Sequence, residues 1–272
     1  MKTSVHLITV VGGHVDVLPQ MLQHYKSLGI ESFFVNLHLQ HDADPIREQV
    51  EAITLEFGCG IASVTVGNWQ MLLQQAYLKP RELYPSDWFV LADQDELQQY
   101  PASLADIFAD CNGGGWDYVR GMFVDRLARD GGFPPVQPGP LWEQFPLGAF
   151  FSTKVLSADS RKVVAVRGPV PLQKGQHHAL AGRAAPSRQY YIPVHHFKWT
   201  EGVAQRLEVR AAHLREQGFG QWAESARFLE YLRLSGGRVN LADPNFYIGE
   251  CAPHYPHWEA VKKLALRAPV VL

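Results

Sequence analysis

The 272-residue sequence predicts an α/β fold, a mostly parallel sheet flanked by helices with a helical C-terminal segment. Three observations predict it. Apolar β-branched runs alternate with helical apolar spacing over about the first hundred residues. Gly and Pro stand where those helices should end and begin. Past Asn112 the alternation gives way to Gly/Pro-rich loops, short strands and two long helical stretches.

Val5 to Val11 is a continuous β-branched run suited to a strand buried on both faces, and Gly12-Gly13 breaks it. Val15, Leu18, Met21, Leu22, Tyr25 and Leu28 follow at helical spacing, with Gly29 where a C-cap glycine belongs. Ser32 to Leu39 reads as a second strand. Asp44-Pro45 starts a helix that runs through Ile46, Val50, Ile53 and Leu55 to Gly58. Ile61 to Val66 is a third strand, Trp69 to Leu83 a third helix, and Trp88 to Ala92 a fourth strand. Such repeated strand–helix steps imply parallel pairing with helices on both faces.

Beyond Gly113-Gly114-Gly115, Tyr118 to Val124 reads as a strand and Gly131 to Pro140 as a loop. Short strands are expected around Ala149 to Thr153 and Lys162 to Val166, and another from Tyr190 to Phe197. Glu201 to Gln217 and Gln221 to Leu234 read as helices. No internal repeat is present. The chain reads as one domain, 1–272, with parts at 1–111, 112–200 and 201–272.

With 46% apolar and 19% charged residues the chain is too apolar for disorder. Lys plus Arg number 25 against 27 Asp plus Glu, a balance that argues against nucleic acid as a partner. Cys59, Cys111 and Cys251 are too few and scattered for a disulfide framework, so a reduced, cytoplasmic setting is expected. Met1-Lys2-Thr3-Ser4 runs straight into the first strand, with no leader pattern. No apolar run reaches the length of a membrane span, which leaves room only for peripheral attachment to a membrane surface.

Ligands of parallel sheets sit beyond the carboxyl ends of the strands. That rule picks out Val11-Gly12, Asn36 to Leu39, Gly67-Asn68 and Asp93 to Glu96. The last of these ends an apolar strand in three carboxylates, Asp93, Asp95 and Glu96. Burying them unpaired would be costly, so they are expected at the strand mouth, in water or on a cation. Asp93 and Asp95 face the same way on extended chain and suit Mg²⁺ or Mn²⁺, which would also take phosphate oxygens. An acidic surface turn is the plain alternative, since short Asp-x-Asp matches are common.

Trp88 to Glu96 resembles the "hydrophobic run, Asp-x-Asp-Glu" motif of glycosyltransferases with the GT-A fold. More narrowly it is similar to family-2-type bacterial enzymes related to glycosyltransferase family 92. His24-Tyr25-Lys26-Ser27-Leu28-Gly29-Ile30 resembles the end of their first helix. Gly121 to Arg126 with Asp130-Gly131, then Leu141 to Pro146, resembles the middle of that group, and Val194 to Trp199 its late His segment. The resemblance covers roughly residues 5 to 215. The second strand lacks the carboxylate that many such enzymes use to hold the base or ribose, so the base is not identified.

The resemblance implies a metal-dependent enzyme that moves a sugar from a nucleotide-diphosphate sugar to a glycan or other hydroxyl acceptor, with inversion. It implies that 1–111 binds the donor through Val11, Gly12, Asn36 and Asp93, while 112–200 completes the acceptor and metal side. A late His often completes the metal shell in these enzymes, and His196 fits that place best, beside Asp93 and Asp95. His195, adjacent on a strand, must face the other way and pack. Lys198, on the same strand face as His196, is the candidate cation for the diphosphate. Arg206 and Arg210 lie four apart on a helix and read as a solvated face. His177-His178 could line the acceptor side, whereas His254 and His257 read as surface.

For the general base, Glu143 and Asp125 are the carboxylates in motif-like context. Trp142 beside Glu143 would desolvate it and offer a sugar a stacking face. Asp125 has the plain alternative of an ion pair with Arg126. Two other functions compete with glycosyl transfer. A nucleotidyltransferase on a similar sheet would carry an Arg or Lys in the loop after the first strand, and Gly12-Gly13-His14-Val15-Asp16 has neither. A catalytically inert nucleotide-sugar-binding protein would bind donor without hydrolysing it.

Overall fold

The computed structural model describes residues 4–66, 69–156, 159–251 and 254–267. The expected strand mouth at Gly67-Asn68 lies outside them. The chain forms two compact units, the first from Met1–Met122 and Arg161–Val194, the second from Phe123–Ser160 and His195–Leu272.

In the first unit the chain runs β1 (Val5–Val11), α1 (Leu18–Ser27), β2 (Ser32–Leu39), α2 (Ile46–Glu56) and β3 (Ile61–Val66). It continues through α3 (Trp69–Leu83), β4 (Trp88–Leu91), β5 (Glu96–Gln98) and α4 (Leu104–Gly114). β6 (Tyr118–Leu127) then leads into the second unit, with α5 (Leu141–Gln144), β7 (Leu147–Ala149) and α6 (Phe151–Leu156). β8 (Arg161–Arg167) returns to the first, and β9 (Tyr191–His196) leads out again. The second unit closes with α7 (Val203–Glu216), α8 (Trp222–Leu234), β10 (Gly249–Glu250) and α9 (Trp258–Arg267).

The central strands of the first unit are parallel. β1 pairs with β2 on one side (Leu7 opposite Phe33) and with β4 on the other (Val5 opposite Trp88), and β2 pairs with β3. β8 adds antiparallel to β4, and the start of β6 adds antiparallel to β8 with Gly121 opposite Lys162. β1 is buried along nearly its whole length, as a strand covered on both faces must be, whereas β3 alternates at the edge. α3 packs Ala76 and Tyr77 against Ile8, Val10, Phe89, Leu91, Val163 and Val166. α1 buries Leu18, Met21, Leu22 and Tyr25 and is closed by Gly29 at φ +85°.

Gly121 sits where β6 approaches β9. A Cβ there would meet the Ile192 carbonyl and lie 2.7 Å from Val164 Cγ1, so only glycine fits.

The second unit is built around Phe151, Trp199, Phe228, Leu232 and Phe246, with Trp199 stacked on Phe228 at 4.5 Å between ring centres. The strand expected around Ala149 to Thr153 is corrected here: β7 ends at Ala149 and the chain turns into α6. The physical reason is a long-range cap. Asp125 on β6 accepts from the Ser152 amide at 2.7 Å, satisfying a donor in the first turn of α6. All three cysteines are free thiols. Among the described residues no helix is long and apolar enough to cross a membrane.

Candidate active site

The strand order β3-β2-β1-β4-β8 reverses between β1 and β4: the chain first adds strands on one side of β1, then crosses to the other. Such a switch point opens a crevice at the carboxyl ends of the two strands. Gly12 follows β1 there, and Asp93 to Glu96 follow β4. The middle residue of Asp-x-Asp ties the two loops together. Gln94 Oε1 accepts from Gly12 N at 3.0 Å, and its Nε2 donates to Gly12 O at 3.2 Å and meets His14 Nδ1 at 3.0 Å.

Around this seam lies a charge cluster. Lys162 Nζ on β8 donates to Asp93 Oδ2 at 3.0 Å and to Glu96 Oε1 and Oε2 at 2.5 and 2.6 Å. Tyr77 of α3 donates its hydroxyl to Asp93 Oδ1 at 3.0 Å, and the Asp93 amide donates to Glu96 Oε2 at 3.0 Å. Lys162 and Glu96 are sealed from water, each side chain 1% exposed, while the Asp93 side chain is 45% exposed at the mouth. Asp95 is buried. Tyr25 of α1 underpins the turn, donating to Glu96 O and accepting from Gln98 N.

Burial pushes the Asp93 carboxyl up, but the Lys162 ammonium outweighs it and holds the group below its ordinary value against the opposing charge of Asp95. Burial likewise pushes Lys162 down, and the charges of Asp93 and Glu96 reverse the balance and raise it. Burial and the Asp93 charge push the Tyr77 phenol well up, against a hydrogen bond from Gln176. Tyr77 therefore remains a protonated donor.

Sequence reasoning found the carboxylates of this cluster and missed Lys162 and Tyr77. A signal was present for the first: a lysine heading the apolar run Val163-Val164-Ala165-Val166 asks for a buried partner.

The other expected donor contacts divide. Gly12 has both backbone groups on Gln94. Val11 is buried in β1. Asn36 is buried too, and its amide serves the sheet: Nδ2 donates to Thr9 O and Phe34 O, and Oδ1 accepts from Ser63.

In the second unit Asp125 is 1% exposed. Its carboxylate accepts from Ser152 N at 2.7 Å, Ser152 Oγ at 2.5 Å and Trp199 Nε1 at 2.8 Å, and meets His196 Nδ1 at 3.4 Å. The contact with His196 fixes which ring nitrogen faces the carboxylate. Arg126, its neighbour on β6, faces away from Asp125. Arg126 Nε donates to Phe145 O at 2.9 Å, and the guanidinium lies over the Trp142 ring at 4.9 Å. Trp142 also meets buried His195 edge-on at 4.8 Å. The ring expected to desolvate Glu143 is thus engaged by Arg126 and His195, and Glu143 is exposed. Lys198 is half-buried with its ammonium 5.3 Å from the Trp199 ring centre.

Among the described residues no group of three or more His, Cys, Asp or Glu side chains is arranged to hold a metal ion. Asp93, Asp95, Glu96 and Lys162 nonetheless sum to a net charge of about −2, which one divalent cation would balance. In charge, the set suits a cation that draws the rest of its shell from a phosphate ligand and water.

No protein-family model matches the chain, and no curated protein sequence does. Solved structures with some likeness include a glucose-1-phosphate thymidylyltransferase from Bacillus anthracis, at 11% identity and TM-score 0.28, covering 98% of this chain and 96% of that one. The UDP-glucose pyrophosphorylase from Acinetobacter baumanii is 12% identical at TM-score 0.28, covering 46% of this chain and 57% of its own. TarS from S. aureus is 8% identical at TM-score 0.39, covering 85% of this chain and 43% of its own. The chain thus spans less than two thirds of the latter two. Likeness at this level says nothing of activity, which rests on the chain's own residues.

Proposed function

We propose that the chain is a glycosyltransferase that takes a nucleotide-diphosphate sugar and passes the sugar to an acceptor hydroxyl. The observation that carries this reading is the acidic cluster at the switch point between β1 and β4, where parallel sheets take ligands. The half-exposed Asp93 carboxylate, fixed by Lys162 and Tyr77, is a rigid acceptor for donor hydroxyls. Asp95, with the outer face of Asp93, would hold a divalent cation together with the diphosphate. When bound, that cation supplies charge neutralisation to the leaving nucleotide diphosphate.

The acceptor oxygen forms its bond to the anomeric carbon as the bond to the diphosphate oxygen breaks, and the hydroxyl proton passes to a base. Glu143 is the carboxylate we assign to that base, because Asp125 is committed to Ser152, Trp199 and His196. The cation-free loop Gly12-Gly13-His14 disfavours nucleotidyl transfer, which would release pyrophosphate where glycosyl transfer releases nucleotide diphosphate.

Thermal unfolding with a panel of nucleotide sugars, with and without Mn²⁺, tests the reading. A ligand at a hundred times its dissociation constant adds about 2.7 kcal/mol of stability. Asp95→Ala should remove the metal-dependent part of that stabilisation, measured against the variant's own unliganded melting temperature, and abolish release of nucleotide diphosphate. Unchanged metal dependence in Asp95→Ala would overturn the assignment.

A further inference from the structure

Lysine is seldom sealed from water, and Lys162 is 1% exposed at its side chain. Its ammonium donates to Asp93 Oδ2 and to both oxygens of Glu96. Further bonds hold the same carboxylates, from Tyr77 to Asp93 Oδ1 and from the Asp93 amide to Glu96 Oε2. Asp93 and Glu96 are therefore held from within, by a cation the chain carries itself. Holding an ammonium in such a place requires matched partners on every side. A neutral residue at 162 with an amide at 96 would fill the same space without buried charge.

We propose that Lys162 is a resident cation of the acidic cluster, which keeps Asp93 and Glu96 from chelating a divalent ion. A metal ion is then taken up only together with a diphosphate-bearing ligand. The geometry sets the competition directly. A divalent ion bound at Asp93 Oδ2 or at Glu96 would lie about one hydrogen-bond length beyond the ammonium, and like charges that close in a site shielded from water repel strongly. The negative charge of a diphosphate attracts both cations and removes the conflict. Lys162 acts through the carboxylates it holds and is a positioning residue.

The diphosphate half of this inference rests on the nucleotide-sugar reading; the lysine half does not. Isothermal titration calorimetry of the full chain with Mn²⁺ alone, and with Mn²⁺ in the presence of UDP, tests both halves. The wild type should bind Mn²⁺ measurably only with UDP present. Lys162→Met should bind Mn²⁺ alone, at least roughly tenfold more tightly than the wild type does. Lys162→Met/Glu96→Gln removes the buried charge imbalance, guards against a single variant that fails to fold, and should show the same gain through Asp93.

Wild-type protein that takes up Mn²⁺ alone as tightly as with UDP overturns the proposal without any variant. Folded variants whose affinity for Mn²⁺ alone equals that of the wild type also overturn it. If UDP has no effect on any form but Lys162→Met gains Mn²⁺ binding, the role of the lysine stands and the donor reading fails.

Discussion

Asp125 carries three short hydrogen bonds and a contact with His196, all from groups far along the chain. Burial pushes its carboxyl up, but the hydrogen bond and charge of His196 and the two Ser152 bonds outweigh that and hold it below the ordinary 3.8. A depressed carboxyl contributes stability that is fully present above its unfolded value and is lost as pH falls through the folded one. Asp125→Asn would turn an amide N–H toward either Ser152 or Trp199, and should cost about 2–4 kcal/mol at neutral pH. The urea midpoints of the two proteins should converge as pH drops below about 3.8. A difference that persists unchanged there would mean that the carboxylate is not ionised in the folded protein. The residue itself was legible as a carboxylate in a motif. Its partners were not, because Ser152, His196 and Trp199 lie 27, 71 and 74 positions away and no local pattern encodes them.

The elements of the first unit were the most legible part of the chain, since buried parallel strands read as unbroken apolar runs and their helices as clean amphipathic spacing. The order of β1 to β4 and the place of the acidic turn followed from that pattern. α6 was read as strand because its short apolar sequence has no local cap, and the cap comes from β6. β5, β7 and β10, at two or three residues each, are too short for any periodicity to show. Gly121 shows the opposite case, a residue whose element was read but whose reason lay in the neighbouring strand. Gly121→Ala would force a methyl group against the Ile192 carbonyl and Val164, and should destabilise the protein by about 1–3 kcal/mol. An unchanged urea midpoint would show that β6 can shift to admit it.

Both compact units are discontinuous in sequence, and the chain crosses between them three times, inside β6, at the start of β8 and inside β9. None of the three crossings carries a Gly- or Pro-rich linker, so composition gives no sign of the division. A fragment of residues 1–122 would hold β1 to β4 but lack β8, leaving β4 without its antiparallel neighbour and Asp93 and Glu96 without Lys162. Urea titration of that fragment, followed by circular dichroism, should show no cooperative transition. A sharp transition would mean that the four parallel strands and their helices suffice as a folding unit.

Lys162 is also late in time. It follows Glu96 by 66 residues and Asp93 by 69. A ribosome adding about 5–20 residues per second delivers the carboxylates roughly 3–14 s before the ammonium that neutralises them. Over that interval the turn after β4 must stay hydrated, and β4 cannot finish its burial until β8 has emerged.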